Sequence, residues 1–182
     1  MRDLANNISV VQSLAPAVRT ADANGTGIDL QGFESATIVV DTGAEGVTLS
    51  SSVKIDFKLE DSDDDSTYSA VTSATHVTDG TVDSSGIFLT LDANAETPQV
   101  ASIGYVGGKR YVRVVADFTG SHSTGTAVAA SVIKGHPRHN TLTLTAFQLS
   151  KPRGRKPPFL WSILWQNIEL MYQSQRHLRL MV

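Results

Sequence analysis

The chain has 182 residues, 41% of them hydrophobic, no cysteine and a formal net charge of −3. That suits one domain of roughly 135 residues with a real core plus an extension, needing neither disulfide nor metal as a staple. The absence of cysteine excludes disulfides, thiolate metal sites and a cysteine nucleophile.

The small net charge averages two unlike segments. Residues 1–140 carry nine basic and seventeen acidic side chains, a net −8, while residues 141–182 carry six and one, a net +5. Both tryptophans, Trp161 and Trp165, lie in the second segment, and only one of the 14 glycines does. Composition therefore divides the chain into a domain, 1–140, and a basic, aromatic extension, 141–182. The acidic domain argues against a nucleic-acid partner. The N-terminal residues lack the apolar run of a secretion signal. The most apolar stretch, Phe159 to Tyr172, is broken by Ser162, Gln166, Asn167 and Glu169. It falls short of the roughly 20 residues of a spanning helix, so no membrane partner is expected.

In chain order, short β-favouring runs alternate with turn clusters across the domain. Ile8–Leu14 is apolar and β-branched and should end at Pro16. Gly25 and Gly27 bracket a turn into Ile28, and 35–41 reads as a buried strand. Over 53–59 the alternation is clean, with Val53, Ile55, Phe57 and Leu59 on one side and Lys54, Asp56 and Lys58 on the other. Residues 60–66 form an acidic turn and 67–72 the returning strand. Ile87, Leu89 and Leu91 mark another strand, followed by 100–105. Gly107-Gly108 predicts a tight two-residue hairpin into the strand 111–118, because glycine tolerates positive φ. A glycine-bounded turn, 120–125, precedes the last strand, 127–134. Eight or nine strands and no helix predict an all-β domain, an antiparallel β-sandwich of jelly-roll-like kind. The extension begins with a Pro-flanked basic run, 151–156. It continues with apolar residues at roughly helical spacing after Pro158, and so reads as helical or disordered.

Candidate chemistry is sparse. Asp61, Asp63 and Asp65 match the first three ligand positions of a calcium loop, since alternate hard oxygens can converge on one ion. Ser66 and Thr72 then stand where that loop needs Gly and Glu, so a hairpin turn with side chains bonded to their own backbone is the stronger reading. No metal and no other cofactor is expected. His136 and His139, with His122 or His76 as a third, could be assembled into a site, but Pro137 forbids a helix carrying the pair. Arg113 should be partly buried against a carboxylate, and Lys109 and Arg110 should be solvated edge charges. Neither a nucleophile elbow nor a phosphate loop is present, so no catalytic residue and no enzymatic activity is expected. The candidate partner-binding residues are Ile8, Val10, Val11 and Leu14 in the first strand, and Trp161 and Trp165, which stand four apart.

Several segments also resemble a known group. These are Met1-Arg-Asp-Leu with Asn6-Asn7-Ile8, Ala15-Pro-Ala-Val, and Asp29-Leu-Gln-Gly-Phe33. Further along are the acidic hairpin from Leu59 to Val71, Ile103 to Val115, and Val132 to Arg138. Together they resemble small all-β structural proteins, of head or decoration type, from tailed phages, prophages and gene transfer agents. The resemblance spans 1–140. In such proteins Gly often stands at the place of Asp65, and the chain ends shortly after the His-Pro segment. The extension is thus either a docking arm or a tail not native to the fold. The resemblance implies a non-enzymatic virion protein, most specifically a capsid decoration or head-associated component assembled in the host cytoplasm. Its partners would be the major capsid protein or other virion proteins, and it would act as a homo-oligomer through many weak contacts. The alternative from a different class is a carbohydrate-binding β-sandwich on a phage fibre, spike or cell surface. Only three tyrosines and four phenylalanines are available in the domain for stacking on sugars.

Overall fold

The structure, a computed structural model, describes residues 4–138. The extension, with Trp161, Trp165 and His139, lies outside the described residues. Seven long strands and four two-residue strands make up the domain. They are β1 (Ile8–Arg19), β2 (Ala23–Asn24), β3 (Ile28–Asp29), β4 (Phe33–Thr42), β5 (Lys54–Ser62), β6 (Ser69–Ala70), β7 (Val77–Thr78), β8 (Ile87–Leu91), β9 (Gln99–Tyr105), β10 (Tyr111–Thr119) and β11 (Thr126–Pro137). Among the described residues the only helical elements are three-residue 3₁₀ turns.

Two sheets form. Sheet A has the order β1-β11-β4-β9-β7, and sheet B has β2 and β3 on one side of β10, then β5, then β6 and β8. Every pairing is antiparallel. The pairings are nested. The first strand pairs with the last, β2 and β3 with β10, β4 with β9, and β5 with β8. A ladder of four nested pairs rolled into two sheets is the jelly roll, which confirms the expected fold class. The two sheets bury one core between them, in which Ile38, Val40, Ile55, Phe57, Leu59, Leu91, Val112, Val114 and Val132 are fully enclosed. At about 1.5–3 kcal/mol for each such side chain, this layer is the main source of stability.

Three expectations from the sequence need correction. The first strand does not stop at Pro16. It runs to Arg19, because β1 is an edge strand and the ladder with β11 shifts register between Gln12 and Leu14 and again between Leu14 and Ala17. Pro16 sits inside that irregularity, where the ladder asks no N–H of it. The bulge has a second use. Ser13 is turned inward, donates its hydroxyl to the Thr26 carbonyl (3.0 Å) and accepts the Val114 N–H (3.1 Å), stitching β1 to β10 across the open side of the sandwich.

Second, β5 continues past Leu59 to Ser62, so Asp61 belongs to a strand and faces inward, not to a turn. Third, Gly107-Gly108 does not close a hairpin. β9 lies in sheet A and β10 in sheet B, so residues 106–110 cross between sheets, and neither glycine has positive φ. Gly107 is required for space instead: a Cβ there would overlap the ring and hydroxyl of Tyr105.

Candidate functional site

The two outer faces of the sandwich differ in chemistry. Strand alternation sends Ile55, Phe57 and Leu59 inward and Lys54, Asp56, Lys58 and Glu60 outward. On sheet B these outward charges meet partners from β8, β10 and β5 itself. Lys54 pairs with Asp56 (2.7 Å), Lys58 with Asp117, and Arg113 with Glu60 (2.6 Å), while Thr90 donates to Asp56 (2.6 Å). Arg113 also lies 4.0 Å from the centre of the Tyr68 ring, so it is partly buried against a carboxylate as expected. Its partner charges raise the Lys58 ammonium above the ordinary lysine range, the hydrogen bond to Asp117 being the largest cause. Sheet B is thus tiled with charges that satisfy one another.

Sheet A is the opposite. Its outward residues, aligned across the register, are Ile8, Val10 and Gln12 on β1, then Ala129, Ser131 and Ile133 on β11. They continue with Thr37, Val39 and Asp41 on β4, and Val100 and Ser102 on β9. Asp41 is the one charge in this set. The large apolar side chains that are exposed among the described residues are Leu4, Val10, Val18, Val100 and Val106. All five lie on or directly beside β1 and β9, the two flanks of sheet A.

These flanks are also open. Among the described residues β1 has a neighbour on one side only, and β9 is covered on its outer side only at Gly104 and Tyr105, by β7. Long edge strands without charge or proline over their regular part are normally avoided in proteins that stay alone. Sheet B shows the avoidance, since its outer positions are filled by short, broken strands.

Ile8 and Val10, proposed from sequence as partner contacts, therefore stand on this sparsely charged face, Val10 being 60% exposed. Val11 and Leu14 do not. Both point inward, Leu14 is buried in the core and Val11 packs against it, so neither side chain can reach a partner. The pairing of β1 with β11 turns alternate residues away from solvent, and a continuous apolar run hides which half is which.

The acidic segment does not gather into one site. Asp61 is buried and accepts the Tyr105 hydroxyl (2.9 Å), Asp63 pairs with Lys109, and Asp65 accepts the Tyr68 hydroxyl. Asp64 closes the turn, taking the N–H groups of Thr67 (2.8 Å) and Ser66 (3.0 Å), which hold its carboxyl well below the usual carboxylate range. Among the described residues no three His, Asp or Glu side chains are placed to share a metal ion. His122 is buried in the loop before β11, its Nε2 donating to the Thr119 carbonyl (3.0 Å) and its ring standing edge-on to Phe118. His136 lies at the other end of β11, bonded to Ser35 (2.8 Å), so the two cannot join in one constellation.

At that same end, residues 30–36, 105–110 and Arg138 line an open cleft of about 520 Å³. Its charges are engaged. Arg110 grips Asp29 through two bonds (3.0 and 2.6 Å), Lys109 holds Asp63, and Arg138 stands 3.7 Å from Glu34. A ligand would have to displace a carboxylate to use any of them.

The domain is thus a jelly-roll sandwich with one charge-tiled face and one bare face. No family model matches the sequence, and no curated protein matches it. Among solved structures the chain is similar to the SPBc2 prophage-derived protein YomS, at 14% identity over 71% of this chain and 94% of that one, with a TM-score of 0.36. At that level neither fold nor role is transferable.

Proposed function

We propose that this protein is a non-enzymatic structural component of a virion, a capsid decoration or head-associated protein that works by protein–protein contact. The observation that carries the proposal is the face of sheet A, whose one outward charge is Asp41 and whose two edges are open among the described residues, set against a sheet B face whose charges are already paired. A rigid sandwich with one bare face is suited to being placed many times on a lattice, where weak single contacts add through multiplicity. The resemblance of residues 1–140 to phage and prophage head proteins supports the same reading, and the major capsid protein or another virion protein is the partner class it names. The test is mass spectrometry of purified particles from the source together with cryo-electron microscopy of the same sample. The expected result is this chain in stoichiometric, lattice-related copies with sheet A turned toward a neighbour. Its absence from particles, while free protein is present in the lysate, would refute the proposal.

A further inference from the structure

We infer that the partner at the edges of sheet A is a second copy of this chain, added head to tail, with β1 of one copy beside β9 of the next. The inference rests on the reading above only in using the same face; it specifies who occupies the edges. Across the sheet β1, β11, β4 and β9 alternate in direction, so β1 and β9 run antiparallel to each other. A neighbouring β1 placed outside β9 therefore continues the antiparallel ladder without reversal. The usable backbone is matched in kind. Ile8–Gln12 is the regular half of β1, and Gln99–Ile103 is the part of β9 that β7 leaves open; neither stretch holds a charge or a proline.

Outward side chains must oppose outward side chains, because a one-residue slip would turn them over. Of the registers that do so, we take the one that sets residues 9–12 against 100–103, short of the positions that β7 covers, with Val10 opposite Ser102 and Gln12 opposite Val100, a shift of two residues, or about 7 Å, from the level at which Val10 sits within its own sheet. Charge then agrees with the register. Arg19, the one charge on β1, makes no ion pair among the described residues. Its Nη2 donates to its own strand's Ala15 carbonyl (3.2 Å), and its buried Nε has no partner. Continuing from Gln12 opposite Val100, and allowing for the two extra residues in the β1 irregularities, Arg19 stands level with the Asn94–Glu96 turn. That turn carries Glu96, with Asp92 just before it and Glu45 bonded to Thr97 beside it. Head-to-tail contacts of this kind close into rings or extend as helical stacks.

The natural absence of cysteine makes the test direct. Val10→Cys and Ser102→Cys are made separately in the full chain, mixed, and oxidised. A disulfide-linked heterodimer is expected, with the same product from Gln12→Cys and Val100→Cys. Arg19→Glu should reduce the yield of both and lower the mass seen by light scattering. Self-linking of the Val10→Cys protein without the mixed product, or a monomer at every concentration with no cross-link, would overturn the inference. Presence in particles is scored separately. A chain that cross-links as described but is missing from virions sinks the virion reading alone, and a stoichiometric virion component that never cross-links sinks the head-to-tail inference alone.

Discussion

Replacing Tyr105 with Phe removes one hydroxyl from the interior and should cost more than its size suggests. Tyr105 belongs to β9 in sheet A and Asp61 to β5 in sheet B, and their bond (2.9 Å) joins the two sheets through the core. Both side chains are nearly inaccessible, at 3% and 7% exposed, so water cannot replace what is lost. A hydrogen bond to a carboxylate contributes about 1.5–3 kcal/mol, and a buried group left unsatisfied costs a similar amount. The hydroxyl also accepts the Lys109 N–H (3.2 Å), which anchors the crossing between sheets. The expected cost is about 2–3 kcal/mol, measured as a lower urea midpoint by circular dichroism with the slope unchanged. In an Asp61→Asn background the same change should cost only about 1 kcal/mol, because the bond being removed is then neutral. A loss within about 0.5 kcal/mol, the range of surface substitutions, would refute the account of this pair as a buried latch.

Further outcomes are expected. Gly107→Ala should destabilise by an amount comparable to Tyr105→Phe, since the added methyl displaces the same ring; unfolding curves of the single and double variants should show the two losses overlapping. Asp64 is held below the carboxylate range by backbone N–H groups of Thr67 and Ser66, and Asp29 chiefly by its bond with Arg110. Depressed folded values mean stability that is full above about pH 4, the unfolded range, and lost as pH falls through the folded values. The melting temperature should therefore be level near neutrality and drop below about pH 4, with Asp64→Asn reducing the drop. At the alkaline side, burial first and the Asp61 bond second raise the Tyr105 hydroxyl, so stability should decline once pH passes the unfolded tyrosine value near about 10, less so in Tyr105→Phe. Val10→Lys or Val100→Lys should abolish self-association by light scattering at a folding cost below about 1 kcal/mol. Lys58→Met on the charged face should leave association intact and cost about 0–1 kcal/mol, its ion pair being partly exposed.

Alternation carried most of the fold. The period of two over 53–59 placed Ile55, Phe57 and Leu59 in the core without ambiguity, because charged residues mark the other side. The same rule failed at β1. Ile8, Val10, Val11 and Leu14 look alike in sequence, and only the ladder with β11 separates the first two from the last two. Gly107 was visible as a special position but for the wrong reason, since its need is room for the ring of Tyr105, two residues before it, which folds back over the crossing between sheets. Asp65 shows the converse. Its φ of +59° lies in the left-handed region that favours glycine, and no spacing in the acidic run announces it. The bare face of sheet A could not be seen from any one segment. It is assembled from four strands whose register is long-range, and no local spacing encodes it.

The nesting of strand pairs also governs how the chain must be made. Among the described residues β11 is the last strand synthesised, yet it lies between β1 and β4 and is the sole ladder partner of β1. On a ribosome, the first strand therefore waits for nearly the whole domain to emerge before it has anything to bond. Vectorial folding from the N-terminus is closed to this topology, and the nascent chain carries an unpaired apolar strand throughout. A premature stop anywhere before Thr126 would release a product with β1 unmatched and β4 bare on one side, a species for chaperones and proteases to clear.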